Sequence, residues 1–425
     1  GLVDAAIIDG ENFKINGGQG SDGQVLTSTG SGVAWEAAAG GGGPTFKTFG
    51  NSSFIVGTDT TGTIDGADYN TGVGVLALST ITTGDTNTAI GRATLYTLTT
   101  GGANTAVGYN AASNVRGDNN TALGGSALRS NAAGTTSDNN TAVGYNAMLA
   151  NTTGESNVSV GAYSLDANTT GSYNTAVGTH AFSANTTGYD STAVGWGALA
   201  GNTTGITNTA LGTNSLYVNT TGQGNVASGY LSQRLTTTGS QNACFGMGSG
   251  YNITTGSNNV CVGYYAGAVS HTPGGGISTV SNRIILGNSS STHAHIQIDW
   301  TVASDKRDKT DVTPLDMGLS FINKLEPVTY KWDKRVKYEE GKTPDGTHKE
   351  SWTDVGFLAQ DVEKIEAEFG HKIEDETNLT TYMSEDKDAY GLTYAKFVPM
   401  LVKSVQELST QVDELKSELL ALKGE

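Results

Sequence analysis

The middle of the chain repeats one pattern of small apolar, hydroxyl and amide residues about every 17 positions. The string Asn-Thr-Ala-Val-Gly recurs with close variants, and Thr-Thr-Gly follows it with the same period. The glycine of the first string stands at positions 74, 91, 108, 124, 144, 161, 178, 195, 212, 229, 246 and 263. A unit this short cannot bury a core alone, so successive units must stack. The period predicts a β-solenoid in which Ala, Val and Thr form short strands and Gly and Asn mark turns.

Both faces of each predicted strand carry small or apolar side chains. Alternation places Ala on one face and Thr and Val on the other. One face can fill the interior of the coil, whereas the other needs another cover. A neighbouring copy of the chain is the simplest cover, so we expect a homotrimeric shaft.

Three kinds of repeated position point to the interior of the solenoid. Asparagine opens almost every repeat, and stacked coils would turn it into an amide ladder; the alternative is a row of surface turn residues. A larger apolar residue follows four positions after the glycine and is expected in the core. Cys244 and Cys261 lie one repeat apart and are expected to stack as small core residues, not to bind metal. The asparagine positions are Asn87, Asn104, Asn120, Asn140, Asn157, Asn174, Asn208, Asn225, Asn242 and Asn259, with Ser191 as the exception. The apolar positions are Leu78, Leu95, Leu128, Met148, Leu165, Phe182, Leu199 and Leu216.

The residue directly after the repeat glycine varies and is often aromatic. Tyr109, Tyr145, Trp196, Tyr230 and Tyr264 occupy this position. Aromatic rings near a turn can stack on sugars, but they also serve as packing residues between chains. The sequence leaves both interpretations open.

The two ends of the repeat region have their own patterns. Residues 1–45 contain short β motifs and a Gly-rich linker, residues 46–267 form the shaft, and residues 268–303 alternate like strands and are interpreted as a cap or connector. His293 and His295 lie two apart on one predicted strand, which is a possible metal pair. No third ligand is evident, so a surface or interface role is the favoured alternative.

Charge divides the chain at residue 304. Residues 304–425 hold 17 of the 24 basic and 26 of the 41 acidic residues. The formal net charge of -17 argues against nucleic acid or an anionic membrane as a partner. No run of 18 apolar residues is present, so no membrane insertion is expected. No cofactor or metal motif is evident, and none is predicted.

The charged segment is predicted to be a small α/β domain. A helix is expected over 316–325, a strand over 328–332, and a strand near 355 that leads into a helix near 363–369. Apolar residues then recur at alternating steps of four and three, which predicts a coiled coil. The alternative is an amphipathic helix that packs on its own domain. The seam consists of Tyr394, Val398, Leu401, Val405, Leu408, Val412, Leu415, Leu419 and Leu422.

Four motifs of this segment resemble the intramolecular chaperone domain of endosialidases and phage tail fibres. They are Ser304-Asp305-x-Arg307-x-Lys309, Leu325-x-Pro327-Val328-x-Tyr330-x-Trp332, Gly356-Phe357-x-Ala359-Gln360-Asp361-Val362 and Tyr390-Gly391-Leu392-x-Tyr394, followed by the heptad segment. The repeats of residues 70–267 resemble trimeric adhesin heads and tail-fibre shafts. The two resemblances imply a mainly β protein: a trimeric β-solenoid or β-roll shaft, then an α/β chaperone domain at 304–425 with a trimeric coiled coil.

The chaperone resemblance implies autoproteolysis of the Ala303–Ser304 bond, with Ser304 as nucleophile and Lys309 as its base. A serine hydroxyl can attack the preceding carbonyl if a neutral amine takes its proton. The resemblance further suggests that Asp305 and Arg307 orient the loop. Five residues of helix turn through about 140°, so Ser304 and Lys309 cannot share a helix face. Either the segment is extended or turned, or the lysine comes from elsewhere in the sequence. Without the resemblance, residues 304–309 would be interpreted as a solvated charge cluster.

The favoured hypothesis is a virion tail fibre whose C-terminal domain drives trimerisation and then cleaves itself by a serine-type reaction. Expected partners are two further copies, other tail proteins and a host surface glycan or receptor. A polysaccharide-degrading tailspike is an alternative, but it needs paired carboxylates in a groove. A trimeric bacterial adhesin head is the other alternative.

Overall fold

A computed structural model describes the following residues: 7–9, 12–15, 18–19, 24–28, 33–37, 45–49, 53–57, 66–130, 136–268, 276–291, 294–295, 297, 302–338, 343–383 and 389–424. His293 and parts of the predicted segments 1–45 and 268–303 lie outside them. The chain divides into two compact units, Gly1–Thr136 and Ser137–Glu425, which are described in turn.

The first unit begins with antiparallel strands and continues as a solenoid. Strands β1, β2 and β3 form one antiparallel sheet, and β4 pairs with β5 in another. Strand β6 pairs antiparallel with β7, and β7 to β10 each pair in parallel with the next strand along the chain. The strands are β1 (Ile7–Asp9), β2 (Asn12–Ile15), β3 (Gly18–Gln19), β4 (Gln24–Ser28), β5 (Val33–Ala37), β6 (Thr45–Phe49), β7 (Ser53–Gly57), β8 (Thr71–Val73), β9 (Thr88–Ile90), β10 (Thr105–Val107) and β11 (Thr121–Leu123).

The second unit contains a longer stretch of the same solenoid, with one three-residue strand per coil. All the solenoid strands of this stretch run parallel. Their pairing joins equivalent residues of successive repeats, as in Thr175 with Thr192. The strands are β12 (Thr141–Val143), β13 (Val158–Val160), β14 (Thr175–Val177), β15 (Thr192–Val194), β16 (Thr209–Leu211), β17 (Val226–Ser228), β18 (Ala243–Phe245), β19 (Val260–Val262) and β20 (Ile284–Leu286). The predicted 17-residue β-solenoid is confirmed.

Each of the strands β8 to β19 buries its middle residue and turns outward the residues on either side, whereas the middle residue of β20 is only half-buried. Ala176 and Ala193 are completely buried, while Val194 is 38% exposed. The predicted placement of Ala and Val on opposite faces is therefore confirmed, and the Ala face is the interior one. The predicted core position of the larger apolar residue is also confirmed in both units. The glycine after each of the strands β8 to β19 has φ near +130°; at Gly178, a Cβ would lie 2.5 Å from the carbonyl oxygen of Gly195. Only glycine fits there, which explains why this residue marks the period.

The predicted asparagine ladder lies inside the coils. In the first unit, Asn87 Nδ2 donates to Asn70 Oδ1 at 3.0 Å and to the carbonyl of Gly101. In the second unit, the backbone N–H of Asn174 donates to Asn157 Oδ1 at 2.9 Å, and the Ser191 hydroxyl takes the same acceptor role for Asn208. The surface-turn alternative is therefore wrong.

The second unit holds another column of buried amides that was not predicted. It comprises the asparagines of the Asn-Thr-Thr-Gly turns: Asn151, Asn168, Asn185, Asn202 and Asn219. Each Nδ2 from Asn168 onward donates to the Oδ1 of the preceding asparagine, at 2.7 to 3.2 Å. We call this column the second asparagine ladder.

The C-terminal domain packs short elements around one apolar core. Met317, Phe321, Val362, Phe397 and Met400 form its buried centre. The elements are α1 (Leu319–Ile322), β21 (Val328–Tyr330), β22 (Asp354–Gly356), α2 (Ala359–Glu368), β23 (Thr381–Met383), β24 (Tyr390–Leu392) and α3 (Phe397–Lys423), with 3₁₀ turns at Lys306–Asp308, Arg335–Lys337 and Tyr394–Lys396. Strands β21 and β22 pair antiparallel, as do β23 and β24. The helix predicted over 316–325 is correct in place but only four residues long.

The 27-residue helix α3 presents two different faces. Phe397, Met400 and Ser404 face the domain and are buried. The predicted heptad seam lies elsewhere on the helix, and its members from Val398 to Leu422 are exposed. The seam is therefore not the surface that packs on the domain. Among the described residues, no helix is long and apolar enough to cross a membrane.

Candidate self-cleavage site

The structure brings together the two residues that the sequence nominated for catalysis. Lys309 Nζ lies 2.6 Å from Ser304 Oγ and donates a hydrogen bond to it. The same amine lies 3.4 Å from the Ser304 carbonyl oxygen. The 3₁₀ turn Lys306–Asp308 reverses the chain between them and returns Lys309 to Ser304. Of the three possibilities that the sequence left open, the segment adopts the turned geometry.

Asp305 and Arg307 build that turn. Asp305 is its N-cap, and its Oδ1 accepts a hydrogen bond from the backbone N–H of Arg307 at 2.9 Å. The guanidinium of Arg307 also binds the same carboxylate through Nε and Nη2, with a closest contact of 2.6 Å. Hydrogen bonds from Arg307 hold the pKa of Asp305 below its usual value, so the carboxylate stays charged. Both residues orient the backbone and neither contacts the Ser304 hydroxyl among the contacts described.

The site is open to water in the single chain. Every residue from Val302 to Pro314 is exposed, including Ala303 and Ser304 on either side of the nominated bond. A lysine can accept the serine proton only as the neutral amine, a form that exclusion of water favours. The single chain thus supplies the pair's geometry but not a dry environment.

Other motif residues hold the C-terminal domain together. Tyr394 Oη accepts a hydrogen bond from the backbone N–H of Phe357 at 3.1 Å. A Cβ on Gly356 would lie 2.3 Å from that same oxygen, so the motif glycine leaves room for the tyrosine. The Phe357 ring also packs against Tyr394 and Phe397, which joins the end of β22 to the start of α3.

Two buried or capping glutamates were missed by the sequence analysis. Glu366 on α2 is completely buried, and it accepts hydrogen bonds from the backbone and hydroxyl groups of Thr380 and Thr381. Glu407 on α3 accepts a hydrogen bond from the Leu319 N–H at 2.7 Å and so caps α1. In the sequence, both resemble exposed charges of amphipathic helices. Only the tertiary fold shows that they bind backbone groups of other segments.

The remaining candidate residues show no assembled chemistry. Among the described residues, no three His, Cys, Asp or Glu side chains come together as a metal site, and His293 lies outside those residues. Cys244 and Cys261 stack in register and are buried. A hydrogen bond with Cys261, together with burial, raises the pKa of the Cys244 thiol and disfavours the reactive thiolate.

The aromatic residues after the repeat glycine lie on the surface of the coils. Tyr109, Tyr145, Trp196, Tyr230 and Tyr264 are each about half exposed. This exposure is compatible with sugar stacking and with packing between chains, so both roles stay predictions.

Comparison with known proteins identifies the C-terminal segment. Residues 304–371 match the family model described as "Chaperone of endosialidase". Neither a comparison with curated proteins nor one with solved structures found a match. A chaperone domain of this type following a solenoid of 17-residue repeats fits a tail fibre with a C-terminal chaperone, as the sequence suggested. The family is self-cleaving and of serine-peptidase-like type.

Proposed function

We propose that this chain is a homotrimeric tail-fibre protein whose C-terminal domain registers three copies and then cleaves the Ala303–Ser304 bond. The 2.6 Å contact between Ser304 Oγ and Lys309 Nζ is the observation that carries the proposal. Assembly would take place in the host cytoplasm, and the shaft would remain in the virion.

The cleavage step follows from the groups present. Neutral Lys309 takes the hydroxyl proton while Ser304 Oγ attacks the carbonyl carbon of Ala303. The C–N bond breaks, the Ser304 nitrogen receives the proton from Lys309, and Ala303 becomes esterified to Oγ. Water then hydrolyses the ester, leaving Ala303 with a free carboxylate and Ser304 with a free amino group.

Trimerisation supplies what the single chain lacks. The exposed heptad seam of α3 is a surface that a parallel coiled coil would bury. Burial of the neighbouring loop in the trimer would remove water from Lys309 and favour its neutral form. Cleavage would then follow correct assembly.

Mass spectrometry of the purified protein tests the cleavage. The expected products are residues 1–303 and 304–425, and both are absent from Ser304→Ala and Lys309→Ala. Lys306→Ala, which changes a neighbouring exposed lysine, is the matched control and should still cleave. An intact wild-type chain after prolonged incubation as a trimer would refute the protease assignment.

A role in host attachment is supported by the half-exposed aromatic residues of the coils. Planar rings such as Trp196 and Tyr230 offer faces on which a sugar ring can stack. A glycan array with residues 1–303 tests this role, with Trp196→Ala and Tyr230→Ala expected to lower the signal. No binding to any glycan or host cell would argue against it, whereas lost trimer stability in these variants would favour packing between chains.

A further inference from the structure

The last coil of the solenoid ends in an edge that needs protection. Within the described residues, β20 is the terminal strand of its sheet, paired on one side with β19. Its outward residues Ile284 and Leu286 are 71% and 59% exposed, compared with 40% for Val262 on the preceding strand. Open strand edges with apolar side chains promote association of sheets, and solenoids use capping elements to prevent it.

Arg283, directly before β20, departs from the repeat pattern. It occupies the position at which earlier coils carry the ladder asparagine, and its backbone N–H donates to Asn259 Oδ1 at 3.0 Å. Arg283 thus keeps the hydrogen bond from its backbone N–H to the preceding ladder asparagine, but its side chain does not continue the ladder. The guanidinium lies over the ring of Tyr382 in the C-terminal domain, 5.9 Å from its centroid.

A second contact lies just beyond the other end of β20. Asn288 Nδ2 donates to the Tyr264 carbonyl at 2.8 Å, which fastens the loop after β20 to the preceding coil. The carbonyl oxygen of Ser289 in this loop accepts a hydrogen bond from Lys334 Nζ. Contacts to the C-terminal domain therefore lie next to both ends of strand β20.

The C-terminal residues that make these contacts are themselves held in place. Tyr382 belongs to β23, and the buried carboxylate of Glu366 binds the adjoining Thr380 and Thr381. Lys334 follows β21, and the neighbouring Trp332 carbonyl accepts a hydrogen bond from the Glu350 N–H at 2.7 Å. Tyr382 and Lys334 therefore both project from an ordered surface.

We propose that the C-terminal domain caps the open end of the solenoid through the Arg283–Tyr382 and Lys334–Ser289 contacts. The cap holds the two ends of β20 against the preceding coil, so that the strand keeps its pairing with β19 while the shaft assembles, although Ile284 and Leu286 stay exposed with the domain in place. The inference rests on the proposed function only in that cleavage at Ala303–Ser304 makes the cap a separate, non-covalently held chain. Two polar contacts form a weak attachment, which suits a domain that is later released.

Hydrogen exchange tests the cap without requiring cleavage. In a Ser304→Ala chain, Arg283→Gln with Lys334→Met should make amides of residues 276–291 exchange about fivefold faster. Tyr382→Phe should behave like the parent because it keeps the aromatic face, whereas Tyr382→Leu should give a smaller rise than the double variant because the Lys334–Ser289 contact remains. Arg234→Gln is the matched control, since Arg234 lies 5.4 Å from the Tyr217 ring within the coils.

Two outcomes would overturn the proposal. Unchanged exchange over 276–291 would show that the contacts do not protect the edge. An equal rise throughout the shaft, or in the Arg234→Gln chain, would show general destabilisation. In the cleavage-competent chain, the double variant should also lose co-sedimentation of the two fragments. If the wild type never cleaves, the protease assignment fails, but the exchange result still decides the cap.

Discussion

Replacing Asn185 by Leu tests how much the second asparagine ladder stabilises the shaft. The Asn185 amide donates to Asn168 Oδ1 at 2.8 Å and to the Gly188 carbonyl at 3.0 Å. Its Oδ1 accepts hydrogen bonds from Asn202 Nδ2 and from the Gly188 N–H. Leu has a similar volume and none of these groups, so the change removes hydrogen bonds with little change in packing.

The magnitude follows from which partners are left without a bond. The Gly188 carbonyl keeps its bond from Asn174, and Asn202 keeps its own bond to Gly205. The Asn168 Oδ1 and the Gly188 N–H lose the contact that the ladder gave them. At roughly 1 to 3 kcal/mol for each of these two unsatisfied buried groups, the expected loss is about 2 to 6 kcal/mol.

The same slot in the first unit shows that an apolar side chain is not itself unsuitable. Ile81, Leu98 and Val115 occupy it in consecutive coils, and all three are completely buried. An apolar column works where the neighbours above and below are also apolar. The cost of Asn185→Leu therefore arises from the mixed neighbours and not from the leucine.

Local opening of the coil is the appropriate measurement, because a repeat array need not unfold in one step. Hydrogen exchange over residues 175–205 should report the full loss, while residues 243–262 should change little. Thr187→Val, at an exposed position in the same turn, is the control and should stay within about 0.5 kcal/mol of wild type. A similarly small change for Asn185→Leu would refute the stabilising role of the ladder.

Three further predictions follow from unpaired or unpartnered groups. Thr236 Oγ1 and Asn219 Oδ1 are buried without a partner among the described residues. Thr236→Asn adds an amide that can donate to Asn219, so it should stabilise the fold by about 1 kcal/mol and raise the thermal midpoint. An unchanged or lower midpoint would contradict this prediction. Burial raises the pKa of Asp166, so the fold disfavours the charged form of its carboxyl group. Asp166→Asn should therefore raise the melting temperature at pH 7. This gain should disappear below about pH 4, where the carboxyl group is neutral in both the folded and the unfolded chain. A gain that persists at pH 3 would exclude charge as the cause. Leu408→Lys in the heptad seam should lower the mass measured by light scattering from trimer to monomer, and Ser409→Lys, off the seam, should not; a trimer in both would refute the coiled coil.

The solenoid was predictable because equivalent positions of successive repeats have similar surroundings and therefore carry similar residues. The glycine, the small strand residue and the first asparagine each recur at one spacing, so their burial could be inferred from periodicity alone. The second ladder escaped prediction for the opposite reason. Its slot is aliphatic at Ile81 and Leu98 and becomes Asn only from Asn151 onward, and Asn-Thr-Thr-Gly also reads as ordinary turn chemistry.

The candidate site was predictable in its residues but not in its geometry. Spacing alone only excluded a shared helix face for Ser304 and Lys309. The turn that unites them depends on the local pairing of Asp305 with Arg307, whose residue types were visible but whose geometry was not. The short α1 has a tertiary origin: its N-terminus is capped by Glu407, which is 88 residues away from Leu319. No local pattern records such a partner.

The exposed surfaces of shaft and C-terminal domain argue for one common partner arrangement. A parallel sheet normally has both faces covered, yet the outer face of β12–β20 leaves residues such as Leu211 and Phe245 about two-fifths exposed. The seam of α3 is likewise apolar and uncovered, on a helix whose other face already packs on its domain. Additional copies of the chain would cover both surfaces at once. Identical repeats permit a slip of one coil at almost no cost, whereas a heptad coil with distinct ends fixes the alignment. If the cleavage site stays hydrated and inactive until the copies assemble, only correctly aligned shafts would lose their C-terminal domains.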